Sequence, residues 1–283
     1  MSETSAGHCT TFEGGVLRIT IDRPERRNSL DPASVVALRE TLEQADRDHD
    51  VRAIVITGNG SKHFCTGADL ARKHGGASGS TGAEPGEAPA AQPAERPPLI
   101  DARSTVRDWL ALYRTYWELE TPVITAINGT VAGAGMALAL GADLVVARSG
   151  ARFNSVWTRG GMSAHAADPF FLPKIMPFHR LMEFALLGEP VHAEDLLRWD
   201  AINRVVQPNE LEAAANEWAN RLASLPTLSM GQTKRLYRRS YVSDMDTAFA
   251  EEAAAIVMLS PSHDRKEGMA ALVEGRKPTF TGR

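Results

Sequence analysis

Short apolar, β-branched runs alternate along the first half of the chain with longer stretches in which apolar residues return every third or fourth position. Residues 16–21 and 53–57 are short, β-branched and bounded by Gly, Asn or Pro, a pattern that predicts strands. Between them Val35, Leu38, Leu42 and Ala45 fall on one helical face, behind Asp31 in N-cap position and Pro32 at the first helical residue. A strand-helix-strand unit favours parallel pairing, because a parallel partner needs a long crossover. The rhythm then repeats: a helix over 106–118, a buried strand over 122–127, a short apolar helix over 133–140 and a strand over 144–147. Beyond Asp168 the pattern is mainly helical, with helices predicted over 169–176, 179–187, 193–199, 209–222, 228–240 and 245–259. No internal repeat is visible, and the fold class is α/β.

Residues 71–103 break this pattern. They are rich in Gly, Ala, Pro, Ser and Glu, and Pro85, Pro89, Pro93, Pro97 and Pro98 leave no room for an ordinary helix or strand. They read as a mobile loop, either an active-site flap or a linker, and a flap fits better because long loops in compact domains are usually lids or insertions.

A chain of 283 residues with 43% hydrophobic content can bury a substantial core. Its formal charge of −4 is spread without a basic block, which argues against a nucleic-acid partner and leaves local Arg and Lys to meet a small anionic ligand. The first eight residues are polar and no run of eighteen apolar residues occurs, so a cytoplasmic protein with no membrane association is expected. Cys9 and Cys65 make no disulfide framework, no His/Cys/Asp/Glu spacing suggests a metal site, and no Gly-x-Ser-x-Gly elbow suggests a serine hydrolase.

The chemistry concentrates in two segments that each follow an apolar run and open what reads as a helix: Phe64-Cys65-Thr66-Gly67-Ala68-Asp69 and Asn128-Gly129-Thr130-Val131-Ala132-Gly133-Ala134-Gly135. Free N–H groups at a helix start carry partial positive charge, and small residues let a ligand approach the backbone, so such a pair suits an oxygen that becomes anionic during reaction. The Gly-rich turn has two other readings, helix packing alone or a dinucleotide fingerprint. The second needs G-x-G-x-x-G, which the run into Leu138 does not supply.

The two segments resemble the F-C-A-G-A-D and N-G-x-x-x-G-G-G elements of the crotonase superfamily, the enoyl-CoA hydratase/isomerase group, and the resemblance runs from residue 16 to the tail around Lys277. It implies a spiral ββα acyl-CoA-binding core over about 1–200 and a mainly helical region over 201–283 that packs against neighbouring subunits in a trimer or hexamer. It also implies an acyl-CoA thioester as substrate, with coenzyme A part of that substrate and no separate cofactor. Matched residue by residue, the oxyanion donors fall on the N–H groups of Ala68 and Ala134, beside Gly133. Arg26 and Arg27 fall where the phosphates and adenosine of coenzyme A are met, and Lys277 where a ligand in an adjacent subunit is reached.

The two glutamates of the family's hydratases are absent: their positions hold Ala137 and Trp157. Adding water across an enoyl thioester needs a base and an acid, which Ala and an indole cannot supply. His165 falls where dienoyl-CoA isomerases and 4-chlorobenzoyl-CoA dehalogenases of the superfamily carry a catalytic aspartate, and an imidazole, which titrates near neutrality, suits proton transfer there. Asp168 either orients His165 or caps a helix. Trp157 is either an acyl-group wall or a core residue. His63 reads as a surface residue, and Asp69 as a structural acceptor of backbone N–H groups. The expectation is an isomerase- or hydrolase-like enzyme of this family, with a catalytically silent acyl-CoA-binding protein as the alternative.

Overall fold

The computed structural model describes residues 2–69 and 99–283. The chain opens with β1 (Ser2–Ser5), β2 (His8–Glu13) and β3 (Val16–Ile21), an antiparallel meander, followed by α1 (Pro32–Arg47) and β4 (Ala53–Gly58). Next come β5 (His63–Cys65), α2 (Leu99–Glu118), β6 (Val123–Ile127), β7 (Thr130–Ala132), α3 (Gly135–Leu140), β8 (Leu144–Arg148) and β9 (Arg152–Asn154). The short elements α4 (Asp168–Phe171), α5 (Phe178–Leu187), β10 (Val191–His192), α6 (Ala193–Arg198) and β11 (Arg204–Val206) lead to four helices. These are α7 (Leu211–Ala223), α8 (Thr227–Ser240), α9 (Met245–Leu259) and α10 (His263–Glu274).

Among the described residues the strands form two sheets. The larger has the order β1-β2-β3-β4-β6-β8-β11, parallel from β3 onward, and the smaller has the order β10-β9-β7-β5, with β5, β7 and β9 parallel. Each time the chain completes a strand of the larger sheet (β4, β6, β8) it steps directly to one of the smaller (β5, β7, β9). This two-strand step is the ββα spiral that the motifs imply.

Local chemistry accounts for these elements. Asp31 caps α1 by accepting from the Ser34 N–H at 2.9 Å, and the buried stripe of α1 is the predicted one. β4 is buried on both faces, as a central parallel strand requires. Ile54 and Ile56 face the main core, whereas Val55 packs with Ala215 and Ala219 of α7 on the opposite face of the sheet. The helical remainder predicted from residue 201 therefore begins with a strand, β11, and a helix, α7, that complete the core layers.

Three further expectations are revised. α2 begins at Leu99, so the loop predicted over 71–103 ends earlier, and its residues 71–98 lie outside the described residues. The single helix predicted over 169–176 splits into α4 and a 3-10 turn at Leu172–Lys174, where Pro173 has no N–H to continue the α ladder. α10 was not expected, because its apolar residues crowd into 269–273 instead of recurring at helical spacing. A Ser262 side chain that accepts from the Arg265 N–H starts it. No helix among the described residues is long and apolar enough to cross a membrane.

Candidate active site

The first turn is held from three sides. Leu30 forms a parallel bridge with it: the Leu30 N–H donates to the Gly67 carbonyl at 2.8 Å, and the Asp69 N–H donates to the Leu30 carbonyl at 3.0 Å. Successive peptide groups of an extended segment point in opposite directions, so these bonds turn the Ala68 N–H away from Leu30. Arg23 fixes the turn's far end, pairing with Asp69 at 3.1 Å and Asp31 at 3.2 Å while donating to the Ser29 carbonyl. Asp69 thus has a guanidinium among its partners. Behind β5, the buried Asn28 donates to the His63 and Asn59 carbonyls, and Asn128 donates to those of Gly58 and Gly60.

The second turn lies directly against the first. Gly67 has φ +86°, and a methyl group there would stand 2.6 Å from the Ala134 nitrogen, so only glycine admits both the conformation and the approach. A methyl at Gly135 would collide with the Cys65 carbonyl. Ala134 is the N-cap of α3, and among the described residues neither its N–H nor that of Ala68 donates to a protein acceptor. Two tyrosines of α2 clamp this segment: the Tyr113 hydroxyl donates to the Ala134 carbonyl at 2.6 Å, and that of Tyr116 to the Leu138 carbonyl at 3.0 Å.

Ala68 opens into a cavity of about 710 Å³ that is also lined by Arg26, Arg27, His63, Val156 and Arg159. The structure therefore brings the two arginines to the same cavity as Ala68. Lys277 is exposed in the tail after α10 and lines no part of it. Contrary to the surface reading, His63 is half-buried beside this cavity, and burial, then Arg27 and Lys62, push its imidazole downward. Cys65 is fully buried, and burial pushes its thiol up to about 12, which suits packing rather than nucleophilic chemistry.

Past the cavity, Trp157 joins the glycine turn to α4. Its Cη2 lies 3.6 Å from where a Gly133 side chain would begin, and its indole N–H donates to Asp168 Oδ2 at 2.7 Å. Asp168 is only 4% exposed, and its Oδ1 is buried with no hydrogen-bond partner among the described residues. Burial pushes this carboxyl up to about 7, against the opposing pull of the indole. Asp168 is not the helix cap: Ala167 holds that place, and Ala166 and Ala167 both adopt positive φ, at 56° and 64°, which turns the carboxyl inward. Nor does its side chain hydrogen-bond to His165. That ring is exposed, lies tilted by 42° against Trp157 with the ring centres 3.7 Å apart, and shares a hydrogen bond between Nδ1 and the Ser163 carbonyl. Ala137 is fully buried inside α3.

Arg23, Tyr113 and Arg159 were not singled out in the sequence. Arg23 precedes Pro24 with nothing in the sequence to mark its partner, and Tyr113 lies within the helix predicted over 106–118. Among the described residues no group of three or more His, Cys, Asp or Glu could hold a metal ion.

Two abutting glycine turns on a ββα spiral define a class, and comparison with known proteins agrees with it. A model of the Enoyl-CoA hydratase/isomerase family matches residues 11–88 and 92–283. The chain is 34% identical over 272 residues to 1,2-epoxyphenylacetyl-CoA isomerase of Escherichia coli (strain K12), covering 96% of this chain and 97% of that protein. It is 31% identical to (E)-benzylidenesuccinyl-CoA hydratase of Thauera aromatica, covering 94% and 96%. The crystal structure of an enoyl-CoA hydratase from Polaromonas sp. JS666 superposes with a TM-score of 0.83 at 27% identity, covering 96% and 99%. The chain belongs to the enoyl-CoA hydratase/isomerase family of the crotonase superfamily.

Proposed function

We propose that this protein processes an acyl-CoA thioester by stabilising the enolate or oxyanion that forms on the thioester oxygen, with the N–H groups of Ala68 and Ala134 as donors. The observation that carries this reading is the contact between the two turns, with both amides free of described protein acceptors. Fixed donors of this kind need no reorganisation as charge develops, which is why they stabilise a transition state more than water does. Arg26 and Arg27 at the cavity mouth suit the phosphates of coenzyme A by charge and fork geometry.

The reaction we favour is isomerisation, or hydrolytic opening of a ring or C–C bond, ahead of simple hydration. Neither position of the hydratase glutamates holds a group able to deliver water: one is the buried Ala137, and the other is an indole already committed to Asp168. His165, packed at a tilt against that indole, is a proton-transfer candidate on the exposed side. The exposed apolar residues of α9 and α10, among them Phe249, Val257, Leu272 and Val273, support association with further copies of the chain; by family resemblance we read this as a cytoplasmic trimer or hexamer in which Lys277 serves a neighbouring subunit's ligand.

Ala134→Pro tests the central claim. Ala134 has φ −59°, within the range of a proline ring, so the substitution deletes one N–H; its ring carbons also meet Gly67, so a urea melt must show that the variant folds. Losing one such donor costs about 100- to 1,000-fold in kcat. Ala134→Gly keeps the N–H and is expected to stay within several-fold of the wild type. Equal activity of the proline and glycine variants on any thioester turned over by the wild type would remove Ala134 from the mechanism.

A further inference from the structure

The far flank of the cavity at Ala68 ends on an arginine to which the oxyanion reading gives no task. Arg159 sits in a 3-10 turn at Thr158–Gly160, and that turn is fixed from several sides. The Thr158 hydroxyl donates to the Ala185 carbonyl at 2.6 Å, the Gly160 N–H to the Val156 carbonyl at 3.0 Å, and the Met162 N–H to the Trp157 carbonyl at 2.8 Å. The stem of the side chain is held as well. It lies on the C-cap of α5, where a methyl at Gly188 would stand 2.6 Å from Arg159 Cγ and 2.9 Å from Cδ, and where a φ of +66° also calls for glycine. Gly188 therefore leaves the space through which Arg159 reaches the cavity that both residues line.

The head of this side chain has no protein partner. Other arginines that reach between elements are paired: Arg23 with two carboxylates, Arg52 with the Thr227 hydroxyl and two carbonyls, and Arg238 with Asp143 and three carbonyls. Among the described residues the Arg159 guanidinium makes no hydrogen bond or ion pair, although its stem is packed. Ordering a long side chain costs entropy, and a guanidinium held beside a cavity presents a planar pair of donors that matches a carboxylate or a phosphate.

The order of the strands decides which part of a thioester this guanidinium meets. Leu30, three residues after Arg27, bridges to Ala68 beyond β5; β5 pairs with β7, which leads to Ala134; and β7 pairs with β9, which leads to Arg159. The segments that carry the two sets of arginines are thus three strand spacings apart, about 14 Å, with both oxyanion amides between them. A thioester with its phosphates at Arg26 and Arg27 and its carbonyl oxygen between the amides has its acyl end toward Arg159. We propose that Arg159 is a specificity-determining residue that pairs with a carboxylate at the far end of the acyl group, so that the protein prefers the thioester of a dicarboxylic acid. This rests on the reading of Ala68 and Ala134 as oxyanion donors and of Arg26 and Arg27 as phosphate contacts. The cavity's own carboxylates do not compete: Asp69 is paired with Arg23, and Glu25 belongs to the opposite flank with Arg26.

The test measures binding by calorimetry for two pairs of thioesters, glutaryl-CoA against pentanoyl-CoA and adipoyl-CoA against hexanoyl-CoA. Within each pair a carboxylate replaces a terminal methyl. The wild type is expected to bind the carboxylate member of at least one pair about tenfold more tightly, the scale of one charge-assisted bond, with the preference shrinking as salt rises. Arg159→Gln is expected to bring that ratio to about one, and Arg159→Lys to keep part of it, since an ammonium retains the charge without the fork. A wild type that binds both members of both pairs equally overturns the assignment. A glutamine variant that weakens all four thioesters by one factor and keeps the ratio overturns it too, and puts the guanidinium on a phosphate. Either result leaves the oxyanion reading standing, whereas a wild type that binds none of the four overturns both.

Discussion

A buried carboxyl with one unmet oxygen should destabilise the protein wherever it must ionise, and Asp168→Asn isolates that cost. Burial raises Asp168 from 3.8 to about 7, a difference of about 3 units, and each unit corresponds to about 1.4 kcal/mol. The folded state thus holds its proton between about pH 4 and 7 while the unfolded chain has released it, so stability falls with rising pH across that window and levels off above it. The upper bound on the loss is about 4 kcal/mol, and partial relaxation around a real buried charge reduces it to about 2–4 kcal/mol. The asparagine introduced by the substitution does not titrate, and its carbonyl can still accept from Trp157. Urea unfolding at fixed protein concentration should therefore give similar stabilities for the two proteins near about pH 4.5 and an advantage of about 2–4 kcal/mol to the variant at about pH 8. A wild type that is equally or more stable than the variant at the higher pH would show that the carboxylate has partners and that the reasoning is wrong.

Arg23→Ala removes the ion pairs to Asp69 and Asp31 and is expected to cost about 1–3 kcal/mol, between the scales for exposed and buried pairs, together with activity, since Ala68 loses its anchor; urea melts and kcat check both. Tyr113→Phe removes one bond to the Ala134 carbonyl, which keeps its intrahelical partner as the N-cap of α3, and should lower stability by about 1 kcal/mol, measurable as a shift in the urea midpoint. Arg26→Glu with Arg27→Glu should weaken coenzyme A binding in calorimetry and flatten its dependence on salt, because partly exposed charges act through screened attraction.

Much of this architecture is readable without coordinates where one physical signal dominates. The helix over 32–47 announced itself through Asp31, Pro32 and a single apolar stripe, and the strand at 53–57 through an unbroken β-branched run. β2, by contrast, has the sequence His8-Cys9-Thr10-Thr11-Phe12-Glu13 and gains its place from pairing with β3, a non-local contact that leaves little trace in composition. The same distinction governs the site. Ala68, Ala134, Arg26 and Arg27 lie in motifs whose spacing carries their meaning. Asp168 could not be placed, because the preference of Asp before Pro for a cap yields to two alanines in the left-handed region and a bond to an indole eleven residues earlier. Tyr113 and Arg23 act on partners at 21 and 46 positions' distance, which no local pattern encodes.

β5 and β7 are hydrogen-bonded neighbours in the smaller sheet, running in the same direction, and each delivers its turn within three residues of its last paired position. The gap between the two amides is thereby tied to the lateral repeat of a sheet, about 4.8 Å, and not to the acyl group that occupies the site. The residues that line the far side of the cavity, Ser155, Val156 and Arg159, come from the stretch after β9 instead. One part of the chain works as a ruler and another as an exchangeable tool head, so evolution can retool the second for a new acyl chain without recalibrating the first.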